Sequence, residues 1–124
     1  MKKILIIDDD ATFRKTLSDS LSPDKYIVST AVNGKDGLEK IKNDKPDLII
    51  LDISMPEMGG IELLQNLKEE SINVPILIAS QLSQIEVVSE SIETGVNIGV
   101  KGYILKASES LDMIIQTIEK TLAQ

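Results

Sequence analysis

The stretch Leu48-Ile49-Ile50-Leu51-Asp52-Ile53-Ser54-Met55-Pro56 decides the fold of this 124-residue chain. A continuous apolar run leads directly into one carboxylate, and a turn-rich segment follows. Such a run is typical of a strand that is buried on both faces, as in a parallel sheet. In open α/β sheets the ligand crevice lies beyond the carboxyl ends of the strands. The sequence therefore predicts that Asp52 belongs to a site rather than to the core.

The composition restricts the chemistry of such a site. The chain is 42% apolar and 27% charged, and its length predicts a single domain over 1–124, with no output domain in this chain. The absence of cysteine and histidine excludes thiolate metal sites, thiol catalysis and Ser-His-Asp catalysis. The net charge of −7 argues against direct contact with nucleic acid. No segment predicts a membrane span or a signal peptide, so we expect a cytoplasmic protein.

Strand-like and helix-like patterns alternate along the whole chain. Strands are predicted at 4–7, 26–30, 48–51, 74–79 and 102–105. Five helices are predicted, with Asn33, Ser83 and Ser108 as caps of the second, fourth and fifth, Pro23 ending the first and Gly95 ending the fourth. This alternation predicts an α/β fold, with a doubly wound five-stranded parallel sheet and helices on both faces.

Polar side chains follow four of the predicted strands and meet at one edge of the sheet. They are Asp8 and Asp9 after the first strand, Asp52 after the third, Ser80 after the fourth and Lys106 after the fifth. Clustered carboxylates repel one another unless a cation neutralises them, and oxygen ligands favour a hard ion such as Mg²⁺ or Mn²⁺. One aspartate can then attack phosphorus, while an ammonium and a hydroxyl hold the phosphoryl oxygens.

Each of these residues also has a plainer interpretation when it is taken alone. Asp10 is most simply the N-cap of the first helix, and Asp8 or Asp9 alone could be a loop carboxylate. Ser80 alone could belong to a turn, and Lys106 alone could be a solvated lysine. The joint arrangement at successive strand ends favours the functional interpretation.

Over its whole length the chain resembles the receiver domain of bacterial two-component response regulators. The matching motifs are Ile6-Ile7-Asp8-Asp9, Leu51-Asp52-Ile53-Ser54-Met55-Pro56-Glu57-Met58-Gly59-Gly60, Ser80 and Gly102-Tyr103-Ile104-Leu105-Lys106. The resemblance implies a flavodoxin-like (βα)5 fold with strand order 2-1-3-4-5. It also implies a signalling switch that is phosphorylated by a sensor histidine kinase or a phosphotransfer protein.

The resemblance implies roles for the acidic residues. Asp52 would be the phosphoacceptor. Asp9 and Asp52 would bind Mg²⁺ directly, together with the backbone carbonyl of Ser54, and Asp8 would act largely through water. Such a protein catalyses only its own phosphorylation and dephosphorylation, so we do not class it as an enzyme.

The resemblance also implies how the switch is read. Lys106 would pair with the phosphoryl group, Ser80 would donate a hydrogen bond to it, and Tyr103 would turn inward when Ser80 moves. The fourth helix, fifth strand and fifth helix would then bind a downstream partner or output domain, and a homodimer is compatible with this scheme.

Two single residues depart from the family pattern. Ala107 follows Lys106 where receivers usually carry a proline with a cis bond. A cis bond before a non-proline residue costs about 2.5–4 kcal/mol, so we predict a trans bond here. Gln81 follows Ser80 where a small residue is usual, and we expect its side chain to slow the entry of phosphodonor or water.

The segment between Gly95 and Tyr103 carries an insertion of about four residues relative to the family. It could extend the fourth helix or present Val96, Ile98 and Val100 to a partner. A harmless surface insertion is an equal alternative.

Two other functions compete with the receiver interpretation. The run Asp8-Asp9-Asp10-Ala11-Thr12 matches the opening motif of haloacid dehalogenase-like phosphatases, with Asp8 and Asp10 as the working pair. That family needs a further acidic pair after another strand, and nothing past Lys106 supplies one. The other alternative is a pseudo-receiver that binds partners without phosphorylation, against which the intact acidic set, Ser80 and Lys106 argue.

Overall fold

The computed structural model describes residues 1–53, 55, 58–81 and 99–123. The strands are β1 (Lys2–Ile7), β2 (Tyr26–Ala31), β3 (Leu48–Leu51), β4 (Ile76–Ser80) and β5 (Val100–Leu105). The described helices are α1 (Ala11–Ser20), α2 (Gly34–Asp44), α3 (Gly60–Glu69) and a C-terminal helix (Leu111–Leu122). All strands are parallel and follow the order β2-β1-β3-β4-β5, which confirms the predicted flavodoxin-like fold. The predicted fourth helix, with its Ser83 cap and Gly95 end, lies outside the described residues.

Apolar side chains cover both faces of the sheet, because successive side chains of a strand point to opposite sides. Ile4 and Ile6 pack with residues of α1 and the C-terminal helix. Leu5 and Ile7 pack with residues of α2 and α3. In β3, Leu48 and Ile50 belong to the first of these clusters and Ile49 and Leu51 to the second, so the prediction that this strand is buried on both faces is confirmed. Within the described part of the chain, no helix has both the length and the apolar composition that a membrane span requires.

Side-chain caps explain where α1 and α2 begin. The Asn33 side chain accepts a hydrogen bond from the Asp36 amide at 2.8 Å, as predicted for α2. Asp10 caps α1 by accepting from the amides of Thr12 and Phe13, which confirms its plainer interpretation. These caps satisfy amide groups that have no partner inside the helix.

The predicted cap of the last helix is wrong by two residues. Ser110, not Ser108, accepts the hydrogen bond from the Met113 amide, at 3.2 Å. The amide of Ser108 instead donates to the Leu105 carbonyl at 3.1 Å, in the turn that follows β5. Ser108 is part of this turn, which leads the chain out of the sheet, so the helix begins two residues later.

The strand β5 begins earlier than predicted and takes in part of the presumed insertion. Val100 pairs with Ile76 and packs against the core, which argues against the alternative in which it is presented to a partner. The register then shifts before Gly102 pairs with Leu77, which is the signature of a bulge. Val96 and Ile98 lie outside the described residues.

A glycine permits this early start. Gly99 has φ +65, and a Cβ there would lie 2.2 Å from the Val74 carbonyl oxygen. Its own carbonyl accepts a hydrogen bond from the Ile76 amide at 2.7 Å. A residue without a side chain is therefore needed where the chain enters β5.

Candidate functional site

Backbone hydrogen bonds at the carboxyl ends of the strands join β1 to β2 and β3, and join β5 to β4. The Asp52 amide donates to the Ile7 carbonyl at 2.9 Å, and the Lys106 amide donates to the Ser80 carbonyl at 3.2 Å. The Asp8 amide donates to the Ala31 carbonyl at 3.0 Å. The backbone at each candidate residue is thus fixed as a continuation of the sheet, at the edge where the sequence predicted a site.

Three carboxylates converge at this edge. Asp8, Asp9 and Asp52 each offer one oxygen, and these oxygens lie within 4.8 Å of one another. Asp8 and Asp52 are buried, with 1% and 6% of their surface exposed, and Asp9 is exposed. A hard divalent cation fits this set, because it binds carboxylate oxygens and one exposed ligand leaves room for its waters. This agrees with the family resemblance, which implies a cation at these residues.

The carboxyl group of Asp8 has an unusual protonation equilibrium. Burial raises the pKa of Asp8 from 3.8 to about 6, and the neighbouring Asp52 carboxylate adds to this rise. Contacts with Lys106 and with the Asp10 amide oppose it. The cost of burying the Asp8 carboxylate is therefore only partly offset by its contacts with Lys106 and the Asp10 amide.

Lys106 lies between the two buried carboxylates. Its Nζ is 2.5 Å from Oδ2 of Asp8 and 3.7 Å from Oδ2 of Asp52. The Lys106–Ala107 bond is trans, as predicted, since the described residues contain no cis peptide bond. The ammonium is thus brought to the site without the proline that is usual in the family.

Ser80 contacts the other oxygen of Asp52. Its hydroxyl donates to Oδ1 of Asp52 at 2.7 Å and accepts from the Ile53 amide at 3.0 Å. Ser80 is 1% exposed, so both hydrogen bonds are shielded from water. The two oxygens of Asp52 consequently face different groups, a hydroxyl and an ammonium.

The remaining predicted residues lie around this centre. Tyr103 pairs with Ile78 in β5 and is 36% exposed while Ser80 contacts Asp52. Gln81 lines an open cleft of about 430 Å³ together with Asp9, Asp52, Ser80 and Lys106. This is the position from which its side chain was expected to slow the entry of phosphodonor or water to Asp52. Ser54, whose carbonyl was expected to bind the cation, lies outside the described residues.

Two neighbours of the site were not recognised from the sequence. The ring centroid of Phe13 lies 4.5 Å from Nζ of Lys106. Nη1 of Arg14 donates to the backbone carbonyl of Asp8 at 2.6 Å. Both residues lie in the first turn of the helix that follows the Asp8-Asp9 pair. Because that turn begins close to the end of β1, the sequence could have indicated that they lie near the site.

A comparison with known protein families shows the family to which the chain belongs. The family model described as the response regulator receiver domain matches residues 4–119. The chain belongs to the response regulator receiver family. Its acidic cluster lies where β1 and β3 end. The phosphatase alternative, which needs Asp10 as one of its two working carboxylates, loses support because Oδ1 of Asp10 caps α1.

Individual relatives agree with this assignment. Chemotaxis protein CheY of Bacillus subtilis is 36% identical over 121 residues, covering 97% of this chain and 97% of that protein. A CheY-like receiver domain structure from Methanospirillum hungatei has a TM-score of 0.83 at 27% identity, and the match covers 99% of this chain and 94% of the other.

Other relatives of this receiver are much longer than the chain. A protein-glutamate methylesterase/protein-glutamine glutaminase of Treponema denticola is 33% identical over 98% of this chain, which spans only 33% of that protein. For a similarly named protein of Nocardioides the share is 23%. The chain thus spans about a third or less of these two methylesterase relatives, and their enzymatic activity is a property of those longer proteins.

Proposed function

We propose that this receiver is a phosphorylation-controlled switch in which Asp52 accepts the phosphoryl group. The observation that carries the proposal is the pair of contacts on Asp52, with the Ser80 hydroxyl 2.7 Å from Oδ1 and the Lys106 ammonium 3.7 Å from Oδ2. A phosphoryl group on this carboxylate would bring new negative charge between a hydrogen-bond donor and a cation. Membership of the receiver family supports the same assignment.

The chemical step is a displacement at phosphorus. An oxygen of Asp52 forms a bond to phosphorus while the bond from phosphorus to the donor's leaving atom breaks, and the leaving group departs with that electron pair. The donor would be a phosphohistidine on a sensor histidine kinase or phosphotransfer protein, or a small acyl phosphate. Attack of water on phosphorus would later release inorganic phosphate and restore the carboxylate.

The acidic cluster would hold the divalent cation that this chemistry uses. Asp8, Asp9 and Asp52, with the Ser54 carbonyl implied by the family, would bind Mg²⁺ or Mn²⁺. When bound, the cation supplies positive charge that offsets the charge of the carboxylates and the phosphoryl oxygens. Lys106 would remain as the protein's own cation beside the phosphoryl group.

Ser80 and Tyr103 would convert the added charge into a change of surface. A hydroxyl has one proton to donate, so Ser80 can donate to Asp52 or to a phosphoryl oxygen, but not to both. Its transfer to the phosphoryl group would favour an inward position of the exposed Tyr103 ring. The surface formed by the predicted fourth helix, β5 and the C-terminal helix would then bind an output domain, a downstream protein or a second copy.

The test is the intact mass of the protein after incubation with Mg²⁺ and acetyl phosphate. We expect one phosphoryl adduct on the wild type and none on Asp52→Asn. Asp24→Asn is the matched control, because it makes the same charge change at an exposed position away from the site and should keep the adduct. An adduct that survives in Asp52→Asn but is lost in Asp8→Asn would overturn the proposal and favour the phosphatase chemistry.

A further inference from the structure

The ammonium of Lys106 has an aromatic neighbour as well as two carboxylates. Its Nζ lies 4.5 Å from the centroid of the Phe13 ring, 2.5 Å from Asp8 and 3.7 Å from Asp52. The face of an aromatic ring attracts a cation within about 6 Å, and more strongly where the cation is partly removed from water. The Lys106 side chain is only 20% exposed, so the ring contacts an ammonium that is already largely desolvated.

The position of the ring is fixed by the start of α1. Phe13 donates its amide hydrogen to the Asp10 side chain, and its side chain packs against the core on the α1 face of the sheet. The next residue, Arg14, ties the same turn to the Asp8 carbonyl. The start of α1 is thereby attached to the strand end that carries the site.

The ammonium, in contrast, is on a flexible stem. The backbone of Lys106 is held by its hydrogen bond to the Ser80 carbonyl, but four methylene groups separate that backbone from the charge. A carboxylate partner would hold the ammonium by neutralising it, which weakens its attraction to any further negative group. The Asp8 carboxylate, 2.5 Å from Nζ, already neutralises part of that charge, whereas the uncharged ring attracts the ammonium without neutralising any more of it.

We propose that Phe13 is a positioning residue for Lys106, whose ring keeps the ammonium between Asp8 and Asp52, where it acts on the phosphoryl group. This inference rests on the proposed function of Asp52. The plainer role of Phe13, filling space between α1 and the sheet, requires an apolar side chain of similar size but no aromatic ring. A substitution that keeps the apolar volume but removes the ring therefore distinguishes the two roles.

The experiment compares Phe13→Leu, which keeps an apolar side chain, with Phe13→Tyr, which keeps the ring. Tyr26→Leu is the matched control, because Tyr26 packs on the same cluster but lies at the start of β2, at the opposite end of the sheet. The first measurement is the NMR shift of the Lys106 ε-methylene protons in the unphosphorylated protein, assigned with Lys106→Ala. The second is the initial rate of Asp52 phosphorylation by acetyl phosphate with Mg²⁺.

We expect an upfield ring-current shift of the Lys106 protons in the wild type, Phe13→Tyr and Tyr26→Leu, and its loss in Phe13→Leu. The phosphorylation rate should fall about two- to fivefold in Phe13→Leu alone. An unchanged shift or an unchanged rate in Phe13→Leu would overturn the inference while the wild type still takes up phosphate. Failure of the wild type itself would overturn the proposed function first, so the two failures are distinguishable.

Discussion

The middle of the sheet and its carboxyl edge differ within a single residue step. In β1 and β3 the runs Ile4–Ile7 and Leu48–Leu51 are entirely apolar, and none of their residues is more than 1% exposed. The next residues are Asp8 and Asp52, which are almost as buried as the runs but ionisable. Burial of apolar surface stabilises the fold, whereas burial of like charges destabilises it unless they are paired. The apolar residues of β1 and β3 thus stabilise the fold, whereas the buried carboxylates that directly follow them destabilise it unless they are paired.

The largest effect should come from the middle of the sheet. Ile6→Ala removes most of a side chain that is 0% exposed, and we expect a loss of about 2–5 kcal/mol in the free energy of unfolding. Ile27→Ala is the control, since Ile27 is 48% exposed on the edge strand β2 and should cost less than about 1 kcal/mol. Urea unfolding measures both. Equal losses at the two positions would contradict the assignment of stability to the buried runs.

A smaller loss should follow removal of the hydroxyl at the edge. Ser80→Ala deletes the hydrogen bonds to Oδ1 of Asp52 and from the buried Ile53 amide, which we expect to cost about 1–3 kcal/mol. Ser18→Ala is a matched control, because the buried Ser18 hydroxyl has no hydrogen-bond partner among the described residues. It should be neutral or slightly stabilising in the same unfolding assay. A Ser80→Ala protein as stable as Ser18→Ala would show that these bonds do not stabilise the edge.

The stability of the cation-free protein should depend on the protonation of Asp8. Its pKa is about 6 in the folded protein and 3.8 as the reference value, so between these values the folded state holds a proton that the unfolded state has lost. Stability therefore falls as the pH rises through this interval. We expect this group to make the protein about 1–2 kcal/mol less stable at pH 7.5 than at pH 5.

Asp8→Asn tests this dependence, because it removes the titration and keeps a side-chain oxygen that can accept from the Asp10 amide. Unfolding in urea with EDTA at pH 5 and pH 7.5 should show a smaller pH dependence for the variant and a higher stability than the wild type at pH 7.5. The same pH dependence in both proteins would assign it to other groups.

The smallest effect is expected at the rim of the cleft. Gln81 is exposed beside Asp52 and Ser80, so Gln81→Ala should ease the entry of acetyl phosphate and water and raise both phosphorylation and dephosphorylation rates about two- to fivefold. Gln65→Ala, at an exposed position of α3, should leave both rates unchanged. Unchanged rates in Gln81→Ala would show that its side chain does not limit access.

The sequence patterns by themselves determined the α/β fold class and the grouping of the polar site residues, while the strand order came from the family resemblance. The apolar runs and the helical spacing are local patterns, and the ends of parallel strands necessarily meet at one edge. The positions of the strand ends in the sequence are therefore sufficient to group Asp8, Asp9, Asp52, Ser80 and Lys106. The cap at Asn33 was equally readable, because its partner Asp36 lies three residues away on the same helix.

Only the tertiary structure decided the features that depend on distant segments. The raised pKa of Asp8 follows from burial under neighbouring elements, and the early start of β5 requires glycine at 99, where a Cβ would collide with the Val74 carbonyl oxygen. The Phe13 ring reaches Lys106 only because α1 and β5 meet at the same strand ends. These contacts join residues far apart in the chain, and their geometry is set by the packing of whole elements rather than by any local pattern.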